Sequence, residues 1–192
     1  LGEASHVVAV GFGDVEESVR KQLSAIEELA RSSGASDSIV LDGVRQESVW
    51  NAIRNLPDLM NRQEPRPVAC KASVPISRAL EASDALERLA ARRGYLCVAS
   101  SHVGNGLVHS YLSAERVTQP AGIENLARMI TEARDLASQM GGTLVVERCP
   151  REVKELVDVW GPTRTDLQIM RAIKSQFDPR GTLSPGRFVG GI

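Results

Sequence analysis

An Asn-Gly pair between two alternating runs is the feature that most limits how this chain can fold. Residues 100–112 read SSHVGNGLVHSYL, with Asn105 and Gly106 at the centre. Asn-Gly favours a type I′ turn, because both central positions of that turn require a positive φ. The sequence therefore predicts two antiparallel strands joined by a tight turn, which excludes a sheet that is parallel throughout.

Strand-like and helix-like segments alternate over the rest of the chain. Short apolar, β-branched runs predict strands at residues 6–12, 38–41, 67–74 and 142–147, besides the hairpin within 95–112. Apolar residues at helical spacing predict helices at residues 15–30, 47–56, 77–93 and 120–140, and a last helix that ends at Asp178. Residues 61–66 are predicted to form a polar loop. Together they indicate an α+β fold with ferredoxin-like elements, a mostly antiparallel sheet with helices packed on one face, in a single domain over residues 1–192.

Composition excludes several classes of function. A formal net charge of −1 gives no basic surface for nucleic acid, and no apolar run reaches the length of a membrane span. The three cysteines, Cys70, Cys97 and Cys149, lie in apolar runs without a CxxC pair, so we expect buried, reduced thiols in a soluble cytoplasmic protein. No GxGxxG or GxxxxGK[ST] loop occurs to hold phosphates. Because the chain starts at Leu1, without an initiator methionine or a signal peptide, we expect a piece of a longer protein.

Two histidines flank the predicted turn. In a type I′ hairpin residue 104 pairs with 107, so that His102 directly opposes His109. Directly opposed residues have Cβ atoms about 5 Å apart on the same face of the sheet. Two imidazoles at this distance can share one cation or one substrate. Two partly exposed histidines at a sheet edge are the alternative interpretation.

The C-terminal residues 170–191, MRAIKSQFDPRGTLSPGRFVGG, predict a helix followed by a fixed turn. Asp178-Pro179 ends the helix, because proline lacks an amide donor and restricts the residue before it. Residues 184–187, SPGR, then supply a rigid proline, a glycine that lets the backbone approach a flat ligand, and a guanidinium that can pair with an anion. A Pro/Gly-rich surface tail is the alternative.

This ending resembles the DPxGxxNPGR terminus of FAD-linked oxidases of the vanillyl-alcohol-oxidase type, where that segment reaches the flavin ring. Through DGVRQESVWNAIR, SSHVGNGLVH, GGTLVVERCP, VDVWGP and FDPRGTLSPGRF, the whole chain is similar to the C-terminal half of glycolate oxidase FAD-binding (E) subunits. The resemblance implies a cap or substrate domain whose parent protein has an N-terminal FAD-binding domain that is absent here. It implies cofactor contacts from Ser184, Pro185, Gly186 and Arg187, with Ser184 standing where the motif has Asn.

A resemblance to FAD-dependent D-2-hydroxyacid dehydrogenases implies a metal site. Their HxGDGNLH motif supplies two metal-binding histidines, which His102 and His109 match, and the glutamate of their GSISxEHG motif is matched by Glu147 in GGTLVVE. Two imidazoles and a carboxylate would suit Zn²⁺ or Mn²⁺. The histidine that follows this glutamate, the family's presumed base, is replaced by Arg148, which does not lose its proton near neutrality.

The same resemblance implies two cations that grip the substrate. Arg54 follows Trp50 as in the family's WxxR-like helix, with one extra residue between them, and Lys71 lies in CKASVP, like the lysine of YKYDLSLP. His102 is the third implied substrate contact. A planar guanidinium can bind a carboxylate through two hydrogen bonds, so this set suits an anionic substrate. For each cation, a solvated surface charge is the alternative.

The function implied by the resemblance is that of a cap or substrate domain in an FAD-dependent oxidoreductase acting on a 2-hydroxy acid, above all a glycolate oxidase subunit. FAD would belong to the full-length parent, and the isolated chain is expected to be inactive. The implied partners are a small 2-hydroxycarboxylate and other glycolate oxidase subunits, including an iron-sulfur subunit. The implied location is the cytoplasm, with a peripheral position at the inner membrane through partner subunits. The alternative is a non-catalytic structural or assembly module, because Arg148 replaces the base and no iron-sulfur cysteine pattern occurs.

Overall fold

The computed structural model describes residues 6–63, 66–113, 117, 119–162 and 166–192. The chain divides into two compact units, Leu1–Ile53 and Arg54–Ile192. Within the described ranges, no helix combines the length and the apolar character that crossing a bilayer requires.

The first unit is helical. It contains α1 (Glu16–Ser32) and all but the last residue of α2 (Gly43–Arg54), close to where the apolar spacing predicts helices. The carboxylate of Asp14 stands at the start of α1 and accepts the amide of Val15 at 2.7 Å and the hydroxyl of Ser18 at 2.8 Å. No residue of α1 is fully buried, but Val19, Leu23 and Ile26, at helical spacing, are half-buried on one side of the helix.

Two strands predicted in the first unit are wrong. Residues 6–12 and 38–41 are both described, and neither forms a strand. Their apolar side chains are exposed, with Val8 at 86% and Ile39 at 62%. The β-branched composition gives these segments a propensity for extended backbone, but a strand also needs a hydrogen-bonded neighbour and a covered face.

The second unit is built around a four-stranded sheet. Its strands are β1 (Val68–Ser73), β2 (Cys97–His102), β3 (Leu107–Leu112) and β4 (Thr143–Arg148). The spatial order is β2-β3-β1-β4, and each neighbouring pair is antiparallel. The helices of this unit are α3 (Leu56–Gln63), α4 (Ala79–Arg92), α5 (Pro120–Gln139), α6 (Arg151–Lys154) and α7 (Leu167–Phe177). The succession β1-α4-β2-β3-α5-β4 has the ferredoxin-like order, which confirms the predicted α+β class.

The predicted loop at residues 61–66 is partly wrong, because α3 extends to Gln63; residues 64–65 lie outside the described residues. Leu56 and Met60, four residues apart, are both half-buried and give α3 one apolar face. Pro57 stands in the first turn, where a helix tolerates proline.

Helices α4 and α5 cover one face of the sheet. The buried side chains of that face meet those of both helices in one cluster, which includes Cys70, Val108 and Leu112 from the strands and Leu86, Leu89, Leu126 and Ile130 from the helices. All three cysteines are free thiols, but only Cys70 is buried as expected, while Cys97 and Cys149 are half-buried. Burial raises the pKa of the Cys70 thiol to about 12, so this group stays protonated.

The β2-β3 hairpin exists as predicted, but its register is different. Val103–Asn105 form a single 3-10 turn and Gly106 has φ 71°, so four residues rather than two connect the strands. His102 pairs with Leu107, and His109 pairs with Ser100. The cause is a contact outside the hairpin: the Gly106 carbonyl accepts the Val74 amide at 2.9 Å, and a Cβ on Gly106 would collide with the Val74 carbonyl.

Candidate functional site

The predicted site residues of the sheet share the face that α4 and α5 leave open. Lys71 pairs with His109 across β1 and β3, and successive residues of a strand point to opposite faces, so both side chains oppose the buried Cys70 and Val108. We call this surface the polar face, formed by Lys71, His102, His109, Tyr111 and Glu147. Its members come from all four strands, so the sheet itself fixes their spacing.

Glu147, on the edge strand β4, contacts two other members of the polar face. Its Oε1 lies 3.1 Å from Lys71 Nζ, and its Oε2 lies 3.5 Å from His109 Nδ1. The side chains of Lys71 and Glu147 are each 38% exposed, so this ion pair is in contact with solvent. The carboxylate therefore contacts a cation on one side and an imidazole on the other.

The rings of His102, His109 and Tyr111 form a row on the polar face, with His109 between the other two. The centroids of His102 and His109 are 6.1 Å apart in an edge-to-face arrangement, and those of His109 and Tyr111 are 6.5 Å apart with nearly parallel planes. Burial is the main cause that raises the pKa of Tyr111, and the negative charge of Glu147 raises it further. His102 is exposed and His109 half-buried, so the imidazoles form the accessible end of this row.

A β-bulge places Glu147 over Lys71. Ala69 pairs with Arg148 and Cys70 with Val146, so Glu147 is an extra residue on β4 between two consecutive pairs. A bulge of this kind turns the local backbone and changes the direction of the side chain. Arg148, which the resemblance aligns with the presumed base of the family, is exposed at the end of β4.

The structure brings together most of the predicted sheet residues, in a different geometry. His102 and His109 do share one face, but they are diagonal neighbours rather than directly opposed, because the register has shifted. Among the described residues, no group of three His, Cys, Asp or Glu side chains is arranged to hold a metal ion. Glu147 is held by Lys71, so the predicted ligands His102, His109 and Glu147 lie near one another without forming a three-ligand site.

Arg54 is not part of the observed cluster. It is exposed at the end of α2, and its guanidinium makes no hydrogen bond or ion pair with the residues that the structure describes. The predicted convergence of Arg54 with Lys71 therefore still rests on the resemblance.

The C-terminal turn is organised by a buried carboxylate. Asp178 follows α7, its side chain is 6% exposed, and it accepts Lys174 Nζ at 2.6 Å. It also accepts the amide and hydroxyl of Thr182, at 3.0 and 3.1 Å, and the amide of Leu183 at 2.9 Å. The Lys174 ammonium and then the two amides hold the pKa of Asp178 well below its usual range. The predicted fixed turn is thus formed, through contacts that the Asp-Pro pattern did not reveal.

The SPGR residues follow this turn beside an apolar groove. Ser184 has φ 46° and Gly186 has φ 71°, and the Arg187 amide donates to the Ser184 carbonyl at 3.2 Å. The groove has a volume of about 640 Å³, and Ser184 and Arg187 line it together with Met170, Ile173, Lys174, Phe177, Asp178, Leu183, Phe188 and Ile192. Apolar walls beside a guanidinium suit one side of a planar, partly polar ring. The residues present therefore fit the predicted contact with a flavin ring.

Sequence reasoning missed two residues that hold this region together, Lys174 and Trp160. Lys174 precedes Asp178 by four residues on α7, a helical spacing for ion pairs that could have indicated their contact. Trp160, in the VDVWGP motif, donates its indole N–H to the Arg187 carbonyl at 3.3 Å. No local pattern could indicate that contact, because the two residues are far apart in the sequence.

Comparisons with known proteins relate the chain to FAD-linked oxidoreductases. The chain is similar to glycolate oxidase subunit GlcD of Bacillus subtilis (strain 168), with 24% identity over 173 residues that cover 89% of this chain and 36% of that protein. It is similar to a D-lactate dehydrogenase of Anaerostipes hadrus, with 22% identity over 186 residues, 95% of this chain and 39% of that protein. An uncharacterized FAD-linked oxidoreductase of Mycobacterium tuberculosis (strain ATCC 25618 / H37Rv) is 26% identical over 181 residues, 88% of this chain and 36% of that protein.

The chain thus spans little more than a third of the length of these curated relatives. Residues 2–188 match the family model described as FAD linked oxidases, C-terminal domain. The match covers nearly the whole chain, in agreement with the predicted resemblance and the α+β class. This protein therefore belongs to the family of C-terminal domains of FAD-linked oxidases, whose cofactor is FAD.

Proposed function

We propose that this chain is the cap or substrate domain of an FAD-dependent oxidoreductase that oxidises small 2-hydroxycarboxylates, with glycolate as the first candidate. The observation that carries the proposal is the solvent-accessible cluster of Lys71, Glu147 and His109 in a domain of FAD-linked oxidases. The names of two relatives, a glycolate oxidase subunit and a D-lactate dehydrogenase, support the 2-hydroxy acid class.

Lys71 is the proposed anchor for the substrate carboxylate. Its present partner, Glu147, is half-exposed, and ion pairs of this kind contribute only about 0–1 kcal/mol. A substrate carboxylate can therefore compete for the ammonium at little cost, and gains a charge-assisted hydrogen bond. Arg54 is proposed, from the resemblance, as the second cation, since its exposed guanidinium has no side-chain partner in the described part of the chain.

The imidazoles are proposed to orient the hydroxyl end of the substrate. His102 is exposed beside His109, and both lie on the same face as Lys71. A neutral imidazole can donate one hydrogen bond and accept another, which suits a hydroxyl group. Glu147 contacts His109 Nδ1, which restricts the orientation of that ring. This chain would therefore bind and orient the substrate.

Ser184, Pro185, Gly186 and Arg187 are proposed to contact the flavin ring beside the groove. When bound, the flavin supplies the hydride acceptor for the α-hydrogen of the substrate. The apolar walls of the groove would exclude water, and Arg187 would place a positive charge beside the ring. We propose that the pyrophosphate and adenine are held by an N-terminal FAD-binding domain of the parent protein, because this chain has no phosphate-binding loop motif.

A divalent metal, Zn²⁺ or Mn²⁺, is a second candidate at the polar face. It is favoured by the placement of His102, His109 and Glu147 on one face, with donor types that suit these ions. Glu147 would then exchange Lys71 for the metal, which would leave the ammonium available to the substrate. Elemental analysis of wild-type protein and of His109→Gln tests this candidate: bound metal that is lost in the variant supports it, and wild-type protein without stoichiometric metal after purification in its presence contradicts it.

Flavin reduction tests the proposed function directly. The protein that carries this domain together with its flavin-binding domain would be mixed anaerobically with glycolate, D-lactate and, as a control, acetate, which lacks the hydroxyl group. We expect the visible flavin absorption to bleach with a 2-hydroxy acid and to persist with acetate. Absence of bleaching with every 2-hydroxy acid would instead favour the assembly module, which the arginine at the family's base position supports. Association with other subunits, including an iron-sulfur subunit, and through partner subunits with the inner membrane, belongs to the same proposal and is tested by co-purification.

A further inference from the structure

A short segment joins the polar face to the SPGR turn. We call residues 157–162, VDVWGP, the bridging segment. It follows α6 and lies beside the outer edge of β4, the last strand in the spatial order. The proposed substrate and cofactor contacts leave this motif without a role.

The first end of the bridging segment is fixed to β4. The Val159 carbonyl accepts the Val146 amide at 2.8 Å, next to the bulge at Glu147. From α5, Arg134 donates to the carbonyl of Leu144 in β4 at 3.3 Å and also to the carbonyl of Asp158. One guanidinium therefore binds the strand and the bridging segment together.

The other end of the bridging segment is fixed to the C-terminal residues. Trp160 donates its indole N–H to the Arg187 carbonyl at 3.3 Å, and its ring meets that of Phe188 edge to face at 5.0 Å. The Trp160 amide donates to the Asp158 carboxylate at 2.9 Å, which stabilises the local turn. Trp160 is 39% exposed, so these contacts rather than deep burial hold its ring.

The two attachments place only a few bonds between Glu147 and Arg187. Val146 precedes Glu147, its amide binds Val159, and the next residue, Trp160, binds Arg187. The groups that would grip the substrate and the turn that would contact the flavin are thus connected through Trp160.

We propose that Trp160 is a positioning residue that sets the distance between the polar face and the SPGR turn. The inference rests on the proposed function, which assigns substrate to the first and the flavin ring to the second. Reaction rates depend steeply on such distances, since a displacement of about 1 Å can lower a rate roughly a hundredfold. Trp160 itself need not touch either ligand.

Substitution of Trp160 in the flavin-containing protein tests this role. Trp160→Phe keeps a ring against Phe188 but removes the indole donor, and should lower kcat for the 2-hydroxy acid roughly two- to tenfold, the equivalent of one hydrogen bond. Trp160→Ala also removes the ring contact and should lower kcat further, by about a hundredfold. KM should change little, because Lys71 and Glu147 remain in place.

Tyr95→Phe is the matched control. It removes another aromatic donor to a backbone carbonyl, that of Gly122 in the helical layer, and should leave kcat unchanged. If both Trp160 variants keep the wild-type kcat, or if KM rises while kcat does not fall, the positioning role is refuted. If only thermal stability falls, Trp160 has a structural role alone.

Fluorescence of this chain tests the bridge without flavin or activity. The chain has two tryptophans, so Trp50→Phe leaves Trp160 as the single reporter. In that background Phe188→Ala should shift the Trp160 emission to longer wavelength, because the indole becomes more exposed. An unchanged spectrum would refute the contact. A wild-type flavoprotein that oxidises no 2-hydroxy acid would refute the proposed function, while the emission shift would still decide whether the bridge exists.

Discussion

In β3, Val108 and Leu112 point into the core under α4 and α5, whereas His109 and Tyr111 between them point to the polar face. In β1, the buried Cys70 likewise stands beside the half-exposed Lys71. The same backbone hydrogen bonds hold both sets of side chains, because successive residues of a strand face opposite sides. The covered face and the polar face are therefore two chemical surfaces on one scaffold.

The difference between the faces separates stability from binding. Side chains of the covered face are removed from water, so their substitution leaves cavities in a close-packed core. The charged groups of the polar face keep contact with solvent, and their mutual attraction contributes little to folding. We expect substitutions on the covered face to unfold the domain and substitutions on the polar face to change binding.

The largest expected effect is on the covered face. Leu112 is 2% exposed, and Leu112→Ala should lower the free energy of unfolding by about 2–5 kcal/mol. His102→Ala, on the exposed part of the polar face, is the control and should change it by less than about 1 kcal/mol. Urea unfolding of both variants measures the contrast, and equal losses would show that the two faces do not divide stability from binding.

The second effect concerns binding at the polar face. If Lys71 binds the substrate carboxylate, Lys71→Met in the flavin-containing protein should raise KM for a 2-hydroxy acid roughly ten- to a hundredfold, since a charge-assisted bond contributes about 1.5–3 kcal/mol. Arg54→Met should have a similar effect. Folding should change little, because neither cation has a buried partner.

Lys21→Met is the control for this measurement. Lys21 forms an exposed ion pair with Glu17 on α1, and its loss should leave KM unchanged. A large loss of stability with an unaltered KM in Lys71→Met would assign Lys71 to a structural ion pair with Glu147. The polar face would then have no measured role in binding.

A third prediction concerns the ion pair of Lys174 and Asp178. Its carboxylate is buried, whereas both members of the Lys71–Glu147 pair contact solvent. Because the pKa of folded Asp178 is depressed, its ionised form stabilises the fold at pH values above that of an unfolded aspartate, about 3.9. This stabilisation is lost as the pH falls through that value towards the lower folded pKa. The urea midpoint of the wild type should therefore fall more steeply between pH 5 and pH 3 than the urea midpoint of Asp178→Asn.

The control for the acid transition is Asp84→Asn. Asp84 pairs with Arg88 on the surface of α4, and its removal should leave the pH dependence of the wild type intact. Parallel pH profiles for the wild type and Asp178→Asn would contradict the assignment of acid sensitivity to Asp178.

Local patterns predicted the four strands and helices α4, α5 and α7 of the second unit, but neither α3 and α6 nor the long-range fit of the elements. The Asn105-Gly106 pair indicated the hairpin, yet its register depends on the contact of Gly106 with Val74, which no local pattern contains. The bulge at Glu147 likewise results from pairing between β4 and β1. The family motifs predicted that His102, His109 and Glu147 share one face, and the structure places them on one face. The ion pair of Glu147 with Lys71 could not be predicted from the spacing of residues in the sequence.

The smallest expected effect on stability concerns the SPGR turn. There the free energy of unfolding depends on the backbone conformation and not on which face a side chain occupies. Ser184 has φ 46°, a left-handed conformation that costs a residue with a Cβ about 1 kcal/mol. Ser184→Gly should therefore raise the free energy of unfolding by up to about 1 kcal/mol, and Ser184→Asn, which restores the residue of the family motif, by less. Ser33→Gly is the control: Ser33 is the C-cap residue that follows α1 and has φ −88°, so glycine relieves no strain there and should lower the free energy of unfolding slightly. Urea unfolding of the three variants decides between these outcomes. If Ser184→Gly loses as much stability as Ser33→Gly, the positive φ of Ser184 carries no conformational cost. The contacts of the serine would then stabilise the turn.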